Sequence, residues 1–434
     1  MRDVDGSIAF CEQTVVRRIH PEAAAKPFLH SPRGTALVQE GKLIPFRFTD
    51  ADTSVSPRLP FVSYPFEWCD AQLHRAAQLT LDVSRDILAE GYELKDASAW
   101  NVIFEGNRAL FCDHLSFQPV TTRQWWAFGQ FTRHFLLPLA VSKKRGLKPH
   151  RTFSTWRDGM PPDAARELFG AARYLTRYWP LMAAKEGGND AGGAAEKPGK
   201  AMHGNLYALC QHMLDGAKPR GSGKSAWSRY TEERRHYSTE ASRDKERRVA
   251  TWLERIAPAW VVDLGCNSGE YSHLAAKTGA SVIAVDLDHD AIERIVLTHH
   301  ESSAIHPVVC NLGDMVGGRG WSGDEFPSLM QRLARRADVL LMLALVHHLA
   351  ISEAISLAQI AHMAAHVTRS YLIVELLVET DPMVQLLCSQ RRRNPQDFAV
   401  ALQEAAFAAH FDVVESHAIP GTGRKLCLLK KKDA

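Results

Sequence analysis

No apolar run in this chain is long enough to cross a membrane. A spanning helix needs about 18 consecutive apolar residues or more, and the nearest candidate, residues 339–346 (VLLMLALV), stops at His347 and His348. The opening stretch MRDVDGSIAFCEQTVVRRIHPEAAAKPF holds no apolar core of signal-peptide length. The eight cysteines stand singly, with no C-x2-C pair. That argues against a zinc site and against a disulfide framework, and it implies reduced thiols and a cytoplasmic protein. One-sided charge is missing too. Lysine and arginine number 52 against 49 acids, a net +3, so composition gives no electrostatic footprint for nucleic acid. Histidines are plentiful, but the pairs in THH and VHH are adjacent. Neighbours on a helix point about 100° apart, so no metal site is expected.

What is present organises into three stretches. At 434 residues the chain has room for about two to three domains. Residues 1–184 read as an α+β module. Residues 185–225 read as a flexible linker carrying one helix, with the Gly/Ala-rich KEGGNDAGGAAEKPGK at its start and DGAKPRGSGKS at its end. The RGSGKS sequence is not a phosphate-binding loop. That motif needs a glycine where Lys218 stands, and no buried strand precedes it. From 226 to 434, apolar strands alternate with amphipathic helices. The strands include WVVDLG, SVIAVDLD, IHPVVCNL, DVLLMLAL and SYLIVEL. This alternation predicts a parallel sheet covered on both faces. FDVVESHAI, PGTG and KLCLLKK predict a closing antiparallel hairpin.

The first strand of that region ends in the turn D-L-G-C-N-S-G. Asp263 precedes Gly265, and Gly269 opens a helix. Glycines there remove side chains where a ligand must touch backbone, and the helix start offers free N–H groups. A dinucleotide loop would read G-x-G-x-x-G, and this one does not. Asp286 ends the second strand, where a carboxylate can accept both hydroxyls of an unphosphorylated ribose. The combination resembles the class I S-adenosylmethionine (SAM)-dependent methyltransferases over about residues 226–434. The resemblance implies a Rossmann-like seven-stranded sheet with one antiparallel strand, SAM as cofactor, and methyl transfer to an unidentified acceptor. It assigns cofactor contacts to Asp263, Gly265, Cys266, Asn267, Gly269, Asp286 and Leu287. Asn311 and Leu312 end the third strand opposite the adenine, and Leu343 ends the fourth. Trp227 and Tyr230, in AWSRYTEERRHYS, match an aromatic segment that closes over SAM, where aromatic faces suit a sulfonium; packing on the sheet is the alternative. More broadly, VSYPFEWCDAQLHRAAQLTLD, LKDASAWNVIF, WSRY, DLGCNSGEYS, LALVHHLAIS and IPGTGRKL resemble bacterial NoeA-like nodulation and methyltransferase proteins. That likeness brings no substrate with it, beyond a leaning towards small-molecule, glycan or lipid-linked acceptors over nucleic acid.

Methyl transfer is an in-line displacement, so a base is needed only when the acceptor must lose a proton on attack. His347, His348 and Glu375 stand just past strand ends and are the candidates for that role; capping and substrate shaping are the alternatives. The first module offers one further pattern. Asp96 is followed by Asn101, an apolar hairpin and Asp113. Kinases space a base and two metal ligands in this way. No glycine-rich loop or strand lysine accompanies it, so a kinase C-lobe and a plain helix–loop–hairpin both stay open. A non-catalytic SAM-binding protein, or a kinase-like module regulated by a SAM domain, is the competing function. Oligomeric state is not legible.

Overall fold

The structure is a computed structural model that describes residues 4–183, 199–219, 239–298 and 304–433. Contacts divide the chain into two units, Met1–Arg220 and Gly221–Ala434. Trp227, Tyr230 and the RGSGKS segment lie outside the described residues.

The first unit opens with an antiparallel sheet of β1 (Gly6–Phe10), β2 (Thr14–Ile19), β3 (Arg47–Phe48) and β4 (Thr53–Pro57), in the order β1-β2-β4-β3. The helix Asp70–Ala89 follows. Its stripe of Leu73, Ala77, Leu81, Ser84 and Ile87 is buried, as period-3.6 spacing dictates. The Lys200–Ala217 helix, read from sequence as part of a linker, packs against it. Gln78 and Gln211 exchange side-chain amide bonds of 3.0 and 2.8 Å. The aromatic segment 122–141 is mostly core. Trp125, Phe131 and Phe135 are buried, while Trp126 is exposed.

β5 (Tyr92–Leu94) leads into the loop bearing Asp96 and Asn101. The hairpin of β6 (Val102–Glu105) and β7 (Arg108–Phe111) comes next, and after Asp113 β8 (Phe117–Pro119) returns to pair with β5. The kinase-like reading finds no support here. Asp96 accepts from the N–H of Ser98 at 2.9 Å, the Asn101 amide donates to the Asp96 carbonyl at 3.3 Å, and Asp113 accepts from the Leu115 N–H at 3.0 Å. These are turn-forming bonds. The β1–β2 turn also lacks the glycines that would bring backbone N–H groups to a phosphate.

The second unit is built on one seven-stranded sheet. Its strands are β9 (Trp260–Leu264), β10 (Ser281–Asp286), β11 (Ile305–Val309), β12 (Ala337–Met342), β13 (Thr368–Leu377), β14 (Phe411–Ala418) and β15 (Arg424–Lys431). The order is β11-β10-β9-β12-β13-β15-β14. β9 to β13 are mutually parallel, and β15 runs antiparallel to both its neighbours. This is the mixed sheet of the methyltransferase fold expected from the sequence. Val261, Val262, Leu264, Leu340 and Leu341 are completely buried, each contributing about 1.5–3 kcal/mol of hydrophobic stabilisation. Strand order reverses between β9 and β12, the place where open parallel sheets leave a crevice beyond the carboxyl ends of their strands.

The helix Thr239–Ile256 lies over the antiparallel end of this sheet. Trp252 is completely buried, and its indole N–H donates to Glu415 on β14 at 2.7 Å. Asp244 pairs with His417 of the same strand. Trp252→Ala should therefore cost about 3–5 kcal/mol, as large aromatic truncations in cores do. Trp252→Phe, which keeps most of the volume, should cost less. Urea titration of both variants beside wild type checks the order; equal midpoints for all three would contradict it.

Candidate functional site

The crevice holds a cavity of about 360 Å³. Its floor is the turn after β9. Gly265 (φ +74°), Asn267 (φ +48°) and Gly269 (φ +81°) are all left-handed, which lets the chain reverse within five residues. The Gly265 and Cys266 N–H groups both donate to the Val285 carbonyl, at 2.9 and 3.1 Å. A Cβ on Gly265 would sit 3.1 Å from Leu345, and one on Gly269 would sit 2.9 Å from Ile295. Gly265 is thus tight against the cavity wall, and Gly269 against a helix behind it.

Two carboxylates anchor the turn. Asp263 is buried and accepts from the Ser272 hydroxyl at 2.6 Å. Burial pushes its pKa up to about 6; the Ser272 bond opposes that rise, and nearby Asp286 adds to it. Asp286 accepts the Asn267 N–H at 2.8 Å on one oxygen and the Asp288 N–H at 2.8 Å on the other. Burial raises its pKa as well. A carboxylate has about four lone-pair sites, so two backbone bonds leave acceptor capacity for a pair of ligand hydroxyls. Leu287 beside it is 55% exposed, an apolar ledge on the cavity rim.

Of the expected cofactor residues, Asp263, Gly265, Cys266, Asn267, Asp286, Leu287, Asn311, Leu312 and Leu343 line this one cavity. Gly269 does not, and its part is to start the Glu270–Lys277 helix. The candidate bases separate. His348 lines the cavity, whereas His347 and Glu375 do not. His347 is 4% exposed, and its Nδ1 has no hydrogen-bond partner among the described residues. Burial, with His348, Arg424 and Lys245 nearby, holds its pKa far below the usual range. Glu375 is completely buried and spent on two cations. Lys245 donates to one oxygen at 2.5 Å and Arg424 to the other at 3.2 Å. The Arg424 Nε in turn donates to Asp381 at 2.9 Å. A carboxylate clamped this way is held ionised between its two cations, away from the cavity lining.

The sequence reading missed Lys245, Tyr271, Cys310, Leu349, Ser352 and Glu353, all of which face the cavity. Lys245 had left a trace. Ala241, Lys245, Val249, Trp252 and Leu253 make up the buried stripe of their helix, and a lysine within an apolar stripe signals a buried partner.

No known family profile matches the chain. It is 29% identical to the nodulation protein NoeA of Rhizobium meliloti (strain 1021), in an alignment spanning 100% of this chain and 95% of that protein. The likeness to NoeA runs the whole length of this chain. Among solved structures it is similar to the N-methyltransferase NodS of Bradyrhizobium japonicum WM9, at 11% identity, over 45% of this chain and 99% of that one, with a TM-score of 0.33. It is also similar to the magnesium protoporphyrin IX methyltransferase ChlM of Synechocystis PCC 6803, solved with bound S-adenosylhomocysteine (SAH). There identity is 15%, coverage 44% of this chain and 84% of that one, and the TM-score 0.34.

The Asp263 environment predicts a pH effect with a definite sign. Its folded pKa of about 6 lies above the ordinary 3.8, so between those values the folded state binds more protons than the unfolded one. The contribution of Asp263 to stability is then full below about pH 4 and is lost as pH rises through about 6. Asp263→Asn, which still accepts from Ser272, should remove that slope and gain on wild type as pH rises from 4.5 to 7. Denaturant midpoints of the two proteins across that range test it, and parallel curves would refute it.

Proposed function

We propose that the second unit binds SAM and transfers its methyl group to an acceptor entering the same cavity. The observation that carries this reading is the pairing of Asp286 with the Gly265–Gly269 turn. A half-buried carboxylate, fixed by two backbone N–H groups, faces the cavity next to the bare backbone of Gly265. That donor and acceptor set suits a nucleoside with free ribose hydroxyls. Asp286 would hold the two hydroxyls. Leu287 and Leu312 would cover the faces of the base, and Asn311 would lie at its edge. The turn and Asp263 would face the amino-acid end of the cofactor. When bound, SAM supplies an electrophilic methyl on a sulfonium. The protein's part is to hold the nucleophile in line and to exclude water, which suffices for large accelerations. NoeA is a nodulation protein by name, and that name carries no acceptor chemistry to this chain.

Calorimetric titration of the full chain with SAM and SAH tests the reading. Wild type should bind both. Gly265→Arg, which forces a side chain into a left-handed position against Leu345, should abolish binding. Asp286→Ala should weaken it roughly 10- to 100-fold, the worth of one or two hydrogen bonds to a charged group. A folded wild type that binds neither ligand would overturn the proposal.

A further inference from the structure

The cavity has a second wall that the cofactor reading does not use. After β12 the chain passes through Ala344, held at φ +52°, and winds one π-helical turn, His348–Ser352. The Glu353 N–H closes it on the His348 carbonyl at 3.3 Å. A π turn widens the helix and so changes which residues share a face. Here His348, Leu349, Ser352 and Glu353 all face the cavity. The Glu353 carboxylate reaches over to the loop after β11, 2.5 Å from where a Cβ on Gly313 would stand. One turn of chain thus presents an imidazole, a hydroxyl and a carboxylate beside an apolar leucine.

We infer that this turn is the acceptor wall and that the acceptor it takes is a primary amine; the inference rests on the SAM-binding reading above. Two independent features point that way. The first is charge. Apart from Asp263 and Asp286, which the cofactor reading uses, two carboxylates line the cavity, Glu270 and Glu353, and its one lysine, Lys245, is ion-paired to Glu375. A phosphorylated or carboxylated acceptor would meet repulsion there, whereas an alkylammonium would be attracted to the exposed Glu270 and Glu353. The second is the absence of a strong base beside the acceptor. His348 is the cavity's only histidine among the described residues. Burial and the nearby Arg424 hold its pKa down to about 4. It is a neutral hydrogen-bonding group at physiological pH, poorly suited to take a proton from a hydroxyl.

An amine does not need that help. Its ammonium form loses a proton to water at the mouth, and the freed nitrogen lone pair attacks the methyl. The N–C bond forms as the C–S bond breaks, with that electron pair staying on sulfur. The methylated ammonium then releases its second proton to solvent. His348 and Ser352 orient the nitrogen, and Glu353 favours the cationic form on entry.

The test is methyl transfer from labelled SAM by the full chain. The probes are octylamine, glucosamine and tyramine, beside octanol, N-acetylglucosamine, 4-ethylphenol and glucosamine 6-phosphate, with SAH titration run in parallel. Label should appear on nitrogen in at least one amine and in none of the non-amines or the phosphate. With that amine, Glu353→Gln should raise KM about tenfold, with kcat within about twofold, as loss of a charge-assisted contact made before chemistry would. Transfer to a hydroxyl, tyramine's phenol included, overturns the inference. So does a protein that binds SAH yet methylates no amine. Loss of SAH binding itself would instead remove the SAM-binding reading on which the inference rests.

Discussion

The carboxylate of Asp286 ties the turn after β9 to the end of β10, and the geometry of the second unit's site depends on that tie. Of the three left-handed residues in the turn only Asn267 carries a side chain, and its conformation persists because surrounding contacts fix it. Here those contacts are the two N–H bonds to the Val285 carbonyl and the Asn267 N–H bond to Asp286. They come from adjacent positions on the neighbouring strand, so the parallel pairing of β9 with β10 carries the turn into place. Asp286 is itself held in place, half-buried, by the backbone donors it receives. Strand pairing, turn and carboxylate therefore form one cooperative element, and a ligand would meet it ready-made.

A second electrostatic element stands behind the wall. Lys245, Glu375, Arg424 and Asp381 alternate in sign and link the Thr239–Ile256 helix to β13, β15 and the helix after β13. Buried ion pairs of this kind add little net stability against a well-packed apolar equivalent, but removing one partner strands the others. Their effect is positional. Lys245 meets the cavity at one end of the chain, and its ammonium also lies over the Tyr271 ring, 4.9 Å from the centroid. A residue with a strand-end carboxylate's usual promise, Glu375, thus turns out to serve the helix that covers the sheet.

The strength of the local signals decides what the sequence revealed. β9 to β13 are near-continuous apolar runs, so the parallel sheet was legible, and its ligand-facing edge followed from glycine spacing and two strand-end acids. Residues that meet only through tertiary structure were not. Lys245 reaches Glu375 across 130 positions, and no spacing rule links them. Glu353 joins the cavity from the end of a π turn, which the sequence HLAIS does not announce. Asp96, Asn101 and Asp113 mark the opposite case. Their spacing matched a known catalytic pattern, but a strand, a turn and a hairpin need Asp and Asn at those same positions for backbone reasons alone.

The two histidines after β12 separate by one residue and diverge in role. His347 is sealed beneath the wall, where charging it would place a third cation beside Lys245 and Arg424. His348 reaches the cavity, but burial and the same arginine depress its basicity. Arg424, part of the network behind the wall, therefore also lowers the proton affinity of the imidazole that faces the cavity. A cavity with a weakly basic imidazole and an acidic mouth would favour nucleophiles that enter as cations. Such a preference would come from charges that the fold needs for its own packing.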